Sequence, residues 1–537
     1  MSHEPPVNWT AADDRRVEDA IRRGATRRDL LRMLMAGGVS LAVGGSVLTR
    51  AGRAMADTPV SGGALKVAGI TGSNADTLDP AKAANSTDYT RICAFYNRLT
   101  FLAKGGTLQM ELADSIDTTD AKVWTVKLKK GVTFHDGKPL TSADVVFSLN
   151  RHLDPNVGSK VAKIAKQMTE VKAIDPLTVQ ITLAGANADL PTILAMHQFM
   201  IVADGTTDFS KGNGTGAFTV ETFQPGVRSV GLKNKNYFKS TGPHVDSFEF
   251  FAISDETARV NALLSGDIQM ASAIDPRSVK LVNSQPGFQV STTSAGGYTN
   301  LNIRLDTDPG TRAGFIEGMK YLVNREQIQK AVLRGMADIG NDQPISPANP
   351  FYNAGLKAKT FDPDRAKSLF KKAGVLGTSI PIIASDAADN SVDMAVVLQQ
   401  AGADIGMTFD VQRVPSDGYW DKYWLVAPIS FGNINPRPTP DLLFSLLYAS
   451  DAPWNESKYK DPKFDKMLIE ARGLLDQAKR KEIYGEMQVM VSENAGTIIP
   501  AYMTNIDALS GKLHGLEPNP LGGMMGYAFA EYVWLTA

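Results

Sequence analysis

The chain has 537 residues, 43% of them apolar and 21% charged, with 56 Lys plus Arg set against 57 Asp plus Glu. That length predicts about three domains with cores of their own, and the near-zero net charge argues against a nucleic-acid binder held by bulk positive charge. One cysteine, Cys93, excludes an intramolecular disulfide and any cysteine-rich zinc or iron–sulfur site.

The charge is unevenly spread. Residues 1–56 hold nine Arg and six Asp or Glu, a net of +3, which leaves −4 for the remaining 481 residues. Thr26-Arg27-Arg28-Asp29-Leu30-Leu31-Arg32 precedes an apolar stretch from Met33 to Leu48 that four glycines dilute. Ala54-Met55-Ala56 follows. A basic region, a short apolar region and an A-x-A site are the parts of a secretory signal, and the stretch is short for a membrane span. The adjacent arginines resemble the twin-arginine export signal. Cleavage after Ala56 would release a soluble periplasmic product, and no cysteine stands at that site to carry a lipid anchor.

Elements of both kinds then alternate. Tyr89 to Leu99 reads as an amphipathic helix with Cys93 as a small buried thiol. Trp124 to Lys129 has period two and reads as a strand with one wet face. Thr141-Ser142-Ala143-Asp144 has capping-box spacing before an apolar-periodic run to Leu153. Leu177 to Leu183 and Ser247 to Ile253 read as further strands. Gly212-Asn213-Gly214-Thr215-Gly216 reads as a turn, because it lacks the phosphate-loop lysine and dinucleotide spacing. Ser254 or Asp255 caps a helix through Leu264 that stops near Gly266. Asp362-Pro363 and Asp461-Pro462 each set a capping acid before a proline at the first helical position. The first of these helices ends at Gly374, and after the second another run extends to Val491. The mixture points to α/β or α+β lobes.

Enzyme signals are sparse. There is no phosphate loop, no H-E-x-x-H and no G-x-S-x-G. Beyond residue 56 the histidines are His135, His152, His197, His244 and His514, and none lies within five residues of another. No local metal pair or cofactor motif is visible, and no general acid–base pair stands out.

The segment from Trp124 to Arg151 contains Gly131-Val132-Thr133-Phe134-His135-Asp136-Gly137-Lys138-Pro139-Leu140-Thr141-Ser142-Ala143-Asp144-Val145-Val146-Phe147-Ser148. It closely resembles the signature of the family 5 extracellular solute-binding proteins of ABC transporters, the dipeptide-, oligopeptide- and nickel-binding type. Leu78-Asp79-Pro80, Tyr96-Asn97-Arg98-Leu99, Gly214-Thr215-Gly216-Ala217-Phe218, Asn234-Lys235-Asn236-Tyr237-Phe238, Asn300-Leu301-Asn302 and Asn324-Arg325-Glu326 follow in family order. The marks are fold marks: His135 reads as structural, and Asn324-Arg325-Glu326 as a break between helices.

The resemblance implies a two-lobed α/β periplasmic-binding-protein fold, class II-like, with an extra subdomain inserted in the first lobe. Lobe I takes 62–300, with the subdomain at about 110–215, lobe II takes 301–504, and 505–537 returns to lobe I. The implied function is the substrate-binding component of an ABC importer. It is not an enzyme, carries no cofactor or metal, and acts as a monomer. Its partners are a small-molecule or short-peptide ligand and the importer's permease and ATPase subunits, with no nucleic acid. A periplasmic hydrolase, or a sensory or chaperone-like protein on the same scaffold, is the alternative.

The resemblance also places the ligand-facing loops. They offer Ser73 and Asn74, then Tyr298, Asn302 and Arg304 at the crossover, then Tyr419 and Trp420. The last loop adds Gly432, Asn433, Asn435, Arg437 and Asp441. Peptide-binding relatives carry an Asp in that loop for the ligand's α-amino group. Here Asn433 and Asn435 take the approximate place, and the first acid is Asp441. Arg304 and Arg437 offer forked donors to a carboxylate or phosphate. An anionic solute, such as an amino-acid derivative or opine-like conjugate, therefore stands beside the peptide expectation. No histidine lies in these loops to favour nickel.

Overall fold

The structure is a computed structural model and describes residues 58–519 and 522–536. The expected signal, twin arginines and cleavage site lie outside the described residues. The chain opens with strand β1 (Ala64–Gly69) and helix α1 (Ser86–Phe95). A short hairpin follows, β2 (Thr100–Leu102) and β3 (Leu108–Met110). Next come β4 (Ala113–Thr118), β5 (Val123–Leu128), α2 (Ser142–Asn150), β6 (Met168–Asp175) and β7 (Thr178–Leu183). Strands β4, β5, β7 and β6 form a separate antiparallel sheet in that order.

The alternation read in the sequence sets this sheet's faces. Trp124, Val126 and Leu128 of β5 are buried with Val179, Ile181 and Leu183 of β7, and Val145 and Leu149 of α2 pack on them. The capping box at Thr141 and Asp144 is present, and α2 ends at Asn150, three residues before the expected Leu153, in a 3-10 turn.

Two glycine-rich marks meet one another. A Cβ on Gly214 would lie 2.1 Å from the Phe95 carbonyl oxygen, and one on Gly216 would lie 2.3 Å from the Phe95 carbonyl carbon. Only glycine permits that approach. His135 closes the loop: its Nε2 lies 3.1 Å from the Gly216 carbonyl oxygen, and its Nδ1 accepts from the Gly214 N–H at 3.3 Å. Burial pushes its pKa down and keeps the ring neutral. Cys93 is likewise buried on α1, its thiol pushed up to about 12 by desolvation.

The chain continues through β8 (Phe218–Gln224), β9 (Arg228–Lys233), β10 (Ser247–Ala252), α3 (Glu256–Leu264), β11 (Met270–Ala271) and β12 (Phe288–Ile303). Asp255 caps α3 as expected. Then come α4 (Phe315–Leu322), β13 (Ala337–Ile339), α5 (Pro363–Ala373), β14 (Ser379–Ala384), α6 (Ser391–Asp404), β15 (Thr408–Arg413) and β16 (Ile429–Ile434). Last come α7 (Pro440–Leu447), α8 (Pro462–Gly473), α9 (Gln477–Asn494), β17 (Thr497–Ile498) and β18 (Ala501–Ser510). Asp362 and Asp461 cap α5 and α8, and Gly374 ends α5 in the left-handed conformation.

A large mixed sheet runs in the order β15-β14-β16-β12-β18-β11-β1-β10-β9-β8. Strand β12 joins its two halves. Residues 288–294 pair with β18, and Tyr298–Ile303 pair with β16. Between them the register shifts at a bulge between Ser294 and Gly297, where Gly296 has a φ of +71°. Strands β17 and β18 return beside it. One half packs Phe95, Phe218, Phe248 and Phe250, and the other packs Phe370, Ile382, Phe409 and Phe431. A further core on α7–α9 holds Phe444, Phe464 and Tyr484.

Replacing His135 with Ala removes both loop contacts and is expected to lower the unfolding free energy by about 1–3 kcal/mol. A calorimetric scan checks this; an unchanged melting temperature would deny the staple.

Candidate functional site

A cavity opens at the β12 bulge between the two halves of the molecule. Its cavity volume is about 40 Å³, set within some 450 Å³ of space that runs out into solvent. Leu102 and Gly106 of the β2–β3 hairpin line one side, Ala295 and Gly296 line the bulge, and residues from Pro344 to Pro350 and from Pro436 to Pro438 line the other side with Leu443. A Cβ on Gly296 would lie 2.5 Å from the Ser346 Oγ, so the bulge and the cavity wall are tightly fitted. Prolines 344, 350, 436 and 438 stiffen the frame.

Of the residues expected from the sequence, Arg437 lines this cavity, in the loop that carries the exposed Asn435. Its Nη1 donates to the Asn435 and Pro436 carbonyls, both at 3.1 Å, and its guanidinium lies 6.0 Å from the Trp454 ring centroid. Tyr298 stands just past the bulge and is buried. Asn433 donates to Thr299 Oγ1 at 3.2 Å and to Asp389 at 3.1 Å. Ser73 and Asn74 are exposed on a loop that Asp76 holds by accepting from the Ser73 N–H, the Gly226 N–H and the buried Arg91.

Four expectations meet other partners. Arg304 lies six residues along β12's chain from Tyr298, at the far end of the strand, at ~3.3 Å per residue. It is clamped by Asp306 at 2.9 Å through Nε and again through Nη2, with Nη1 on the Val426 carbonyl at 2.7 Å. Each of its three nitrogens is engaged there, and it does not line the cavity. Tyr419 is fully buried, its hydroxyl donating to the Phe431 carbonyl at 2.7 Å and accepting the Phe431 N–H at 3.1 Å. Trp420 packs edge-on against Trp424 outside the cavity lining. Asp441 is buried on α7 and pairs with Arg472 of α8 at 2.8 Å.

Gly432 and Asn302 belong to a buried polar knot that the sequence did not announce. At its centre Glu456 accepts from Trp424 Nε1 at 2.6 Å and from Asn300 Nδ2 at 2.8 Å. The same Asn300 amide donates to Asn302 Oδ1 at 2.8 Å. A Cβ on Gly432 would sit 2.0 Å from Glu456 Oε1, so this strand position demands glycine. Glu456 has no ion pair among the described residues, and burial pushes its carboxyl up to about 7.

A second missed group joins the small-sheet body to the C-terminal helices. Asp189 and Arg480 of α9 pair at 2.7 Å with side chains 5% and 1% exposed. Beside them the Ala188 N–H donates to the Arg472 carbonyl at 2.7 Å. Burial pushes Asp189 up despite Arg480, and Asp441 next to it up to about 6. The pair is a clasp between the small-sheet body and α9. Asp441 belongs to the clasp's surroundings rather than to the cavity.

Two outcomes follow. Because the folded pKa of Glu456 lies above its unfolded value, its contribution to stability is complete below about pH 4.5 and is lost as pH rises through about 7. Wild type should therefore lose on the order of 3 kcal/mol relative to Glu456→Gln across that window; parallel urea-stability profiles for the two proteins would contradict the assignment. Replacing Asp189 with Ala leaves Arg480 buried and unpaired, at a cost of about 3–5 kcal/mol. Urea unfolding reads this, and a loss under about 1 kcal/mol would mean that the clasp opens freely.

Among the described residues no helix is long and apolar enough to cross a membrane, and no cluster of side chains is arranged to hold a metal ion. The chain is 28% identical over 507 aligned positions to a dipeptide-binding protein of Pseudomonas aeruginosa, covering 84% of this chain and 92% of that one. Its fold is shared with DppA of Helicobacter pylori in complex with the peptide STSA, at TM-score 0.71 and 23% identity over 89% of this chain and 99% of that one. It is shared equally with AgaA of A. tumefaciens R10 in complex with agropinic acid, at TM-score 0.70 and 22% identity over 88% and 99%. Both have the two-lobed architecture seen here. The family described as bacterial extracellular solute-binding proteins, family 5 Middle, matches residues 107–456, well over half of the chain, and this protein belongs to that family.

Proposed function

We propose that this chain captures a peptide, or a peptide-like or polar small solute, between its lobes and delivers it to the permease of an ABC importer. The observation that carries this reading is the cavity at the β12 bulge. It takes its walls from the β2–β3 hairpin on one side and from the 344–350 and 436–438 loops on the other, so a ligand there touches both bodies. Such a ligand favours the closed arrangement by whatever it gains from the second wall. Relatives of this fold hold the peptide STSA and agropinic acid.

In this reading the lobe division follows the strand crossovers, near 300 and again near 505, with the small-sheet body set into the first lobe. Binding is the whole of its chemistry, and importer ATPase subunits supply the energy. The protein works as a monomer in the periplasm, reached by the twin-arginine route with cleavage after Ala56.

The test is capture without turnover. The purified chain is incubated with a library of short peptides, amino-acid conjugates and sugar acids. Bound solute is then released by denaturation and weighed by mass spectrometry. At least one solute should raise the melting temperature in a concentration-dependent way and return with its mass unchanged. Release of a cleaved product would instead make the protein a hydrolase.

A further inference from the structure

The interlobe cavity carries one formal charge. Its lining contains no Asp, Glu, Lys or His, and Arg437 stands among prolines, glycine, alanines, leucines, Ile345, Ser346 and Asn349. That arginine is unlike the others the fold buries. Arg91 is neutralised by Asp76, Arg98 by Glu111, Arg325 by Asp342 and Arg480 by Asp189. Arg259 lacks a carboxylate partner, donates from Nη1 and Nη2 to the carbonyls of Ile253, Ser254 and Ala273, and leaves its buried Nε without one. Arg437 has neither solution. Only Nη1 is engaged, on two neighbouring carbonyls, and Nε and Nη2 donate to nothing among the described residues.

A half-buried guanidinium whose Nε and Nη2 are not sealed from water can exchange that hydration for a charge-assisted fork when an anion arrives. The surroundings supply none: the ionisable groups that bear on it are the hydroxyls of Tyr298 and of Tyr89, the latter from α1. Trp454 covers one face of the fork with a ring that tolerates a cation. Two neutral polar groups share the wall. Asn349 accepts the Phe351 N–H at Oδ1, which leaves its Nδ2 to donate, and Ser346 presents its Oγ beside Gly296. The cavity is therefore built to receive an oxyanion, and it holds no carboxylate for an ammonium group.

We infer that the captured solute presents a carboxylate to the Arg437 fork and carries no free ammonium group in the cavity, as in an N-acylated amino acid or peptide or a sugar-acid conjugate. This deepens the capture reading above and rests on it. A zwitterionic peptide would leave its ammonium facing a guanidinium, with no carboxylate in the lining to meet it.

The test uses one set of di- and tripeptides in four forms, with the amine free or acetylated and the terminus acid or amide, together with a panel of sugar acids. Each is titrated into wild type, Arg437→Met and Arg437→Lys by calorimetry. Solutes with a carboxylate and no free amine should bind wild type at least roughly tenfold tighter than their amides, and Arg437→Met should remove that preference. Arg437→Lys should keep part of it, because the charge remains and the fork is lost. The ligand-free melting temperature of Arg437→Met should equal or exceed that of wild type, since an uncompensated charge has been removed. A lower value would mean that Arg437 serves the fold and would overturn the inference. Equal binding of free-amine and amidated peptides to wild type and Arg437→Met would also overturn it while leaving solute capture intact. No binding of any form would overturn capture itself.

Discussion

Everything about the site depends on one strand passing through both halves of the molecule. The first part of β12 pairs with β18 and its second part with β16, and the register shifts between Ser294 and Gly297. A ladder that continues across a bulge lets two bodies share a sheet while bending at a defined place. The cavity lies at that place. The Gly296 conformation, its fit against Ser346, and the approach of the proline-framed loops are consequences of putting the bend there.

Desolvated charge organises the rest. Asp76 with Arg91 fixes the first loop, Asp189 with Arg480 ties the small-sheet body to α9, and Glu456 gathers Trp424 and Asn300 under Gly432. The two ion pairs hold their charges against each other, and Glu456 is held by neutral donors. Arg437 is the position where the complement is missing, and it is the one such position that faces the cavity. An aromatic series of Trp454, Trp424 and Trp420, each edge-on to the next, links its loop to the polar knot. Ligand charge at Arg437 is thus set against the same rigid wall that holds Glu456.

Much of the fold was legible in the sequence because its signals are local. Alternation placed β5 within one residue at each end, and the acid–proline pairs at Asp362 and Asp461 marked the starts of α5 and α8. The site was legible only in part. Arg437 lines the cavity, in the loop where the sequence expected it. Arg304 was misplaced, although Asp306 two residues on was a visible sign that its fork was already occupied. Tyr419 looked ligand-facing as an aromatic near a loop, but a small helix turns its ring into the core and its hydroxyl onto Phe431. Glu456, Asp189 and Arg480 carried no sequence signal. Their meaning comes from partners far away in the chain, and composition around them is ordinary.

A solute bound at the β12 bulge is expected to draw the lobes together. Cys93 is buried with its thiol pushed up to about 12, so labels can be directed to introduced cysteines. Spin labels at Lys280→Cys, exposed between β11 and β12, and Lys372→Cys, exposed on α5, span the crossover. Pulsed electron-spin distance measurements on this pair should give a broad distribution without solute and a narrow, displaced one with it. Identical distributions at saturating solute would contradict the claim.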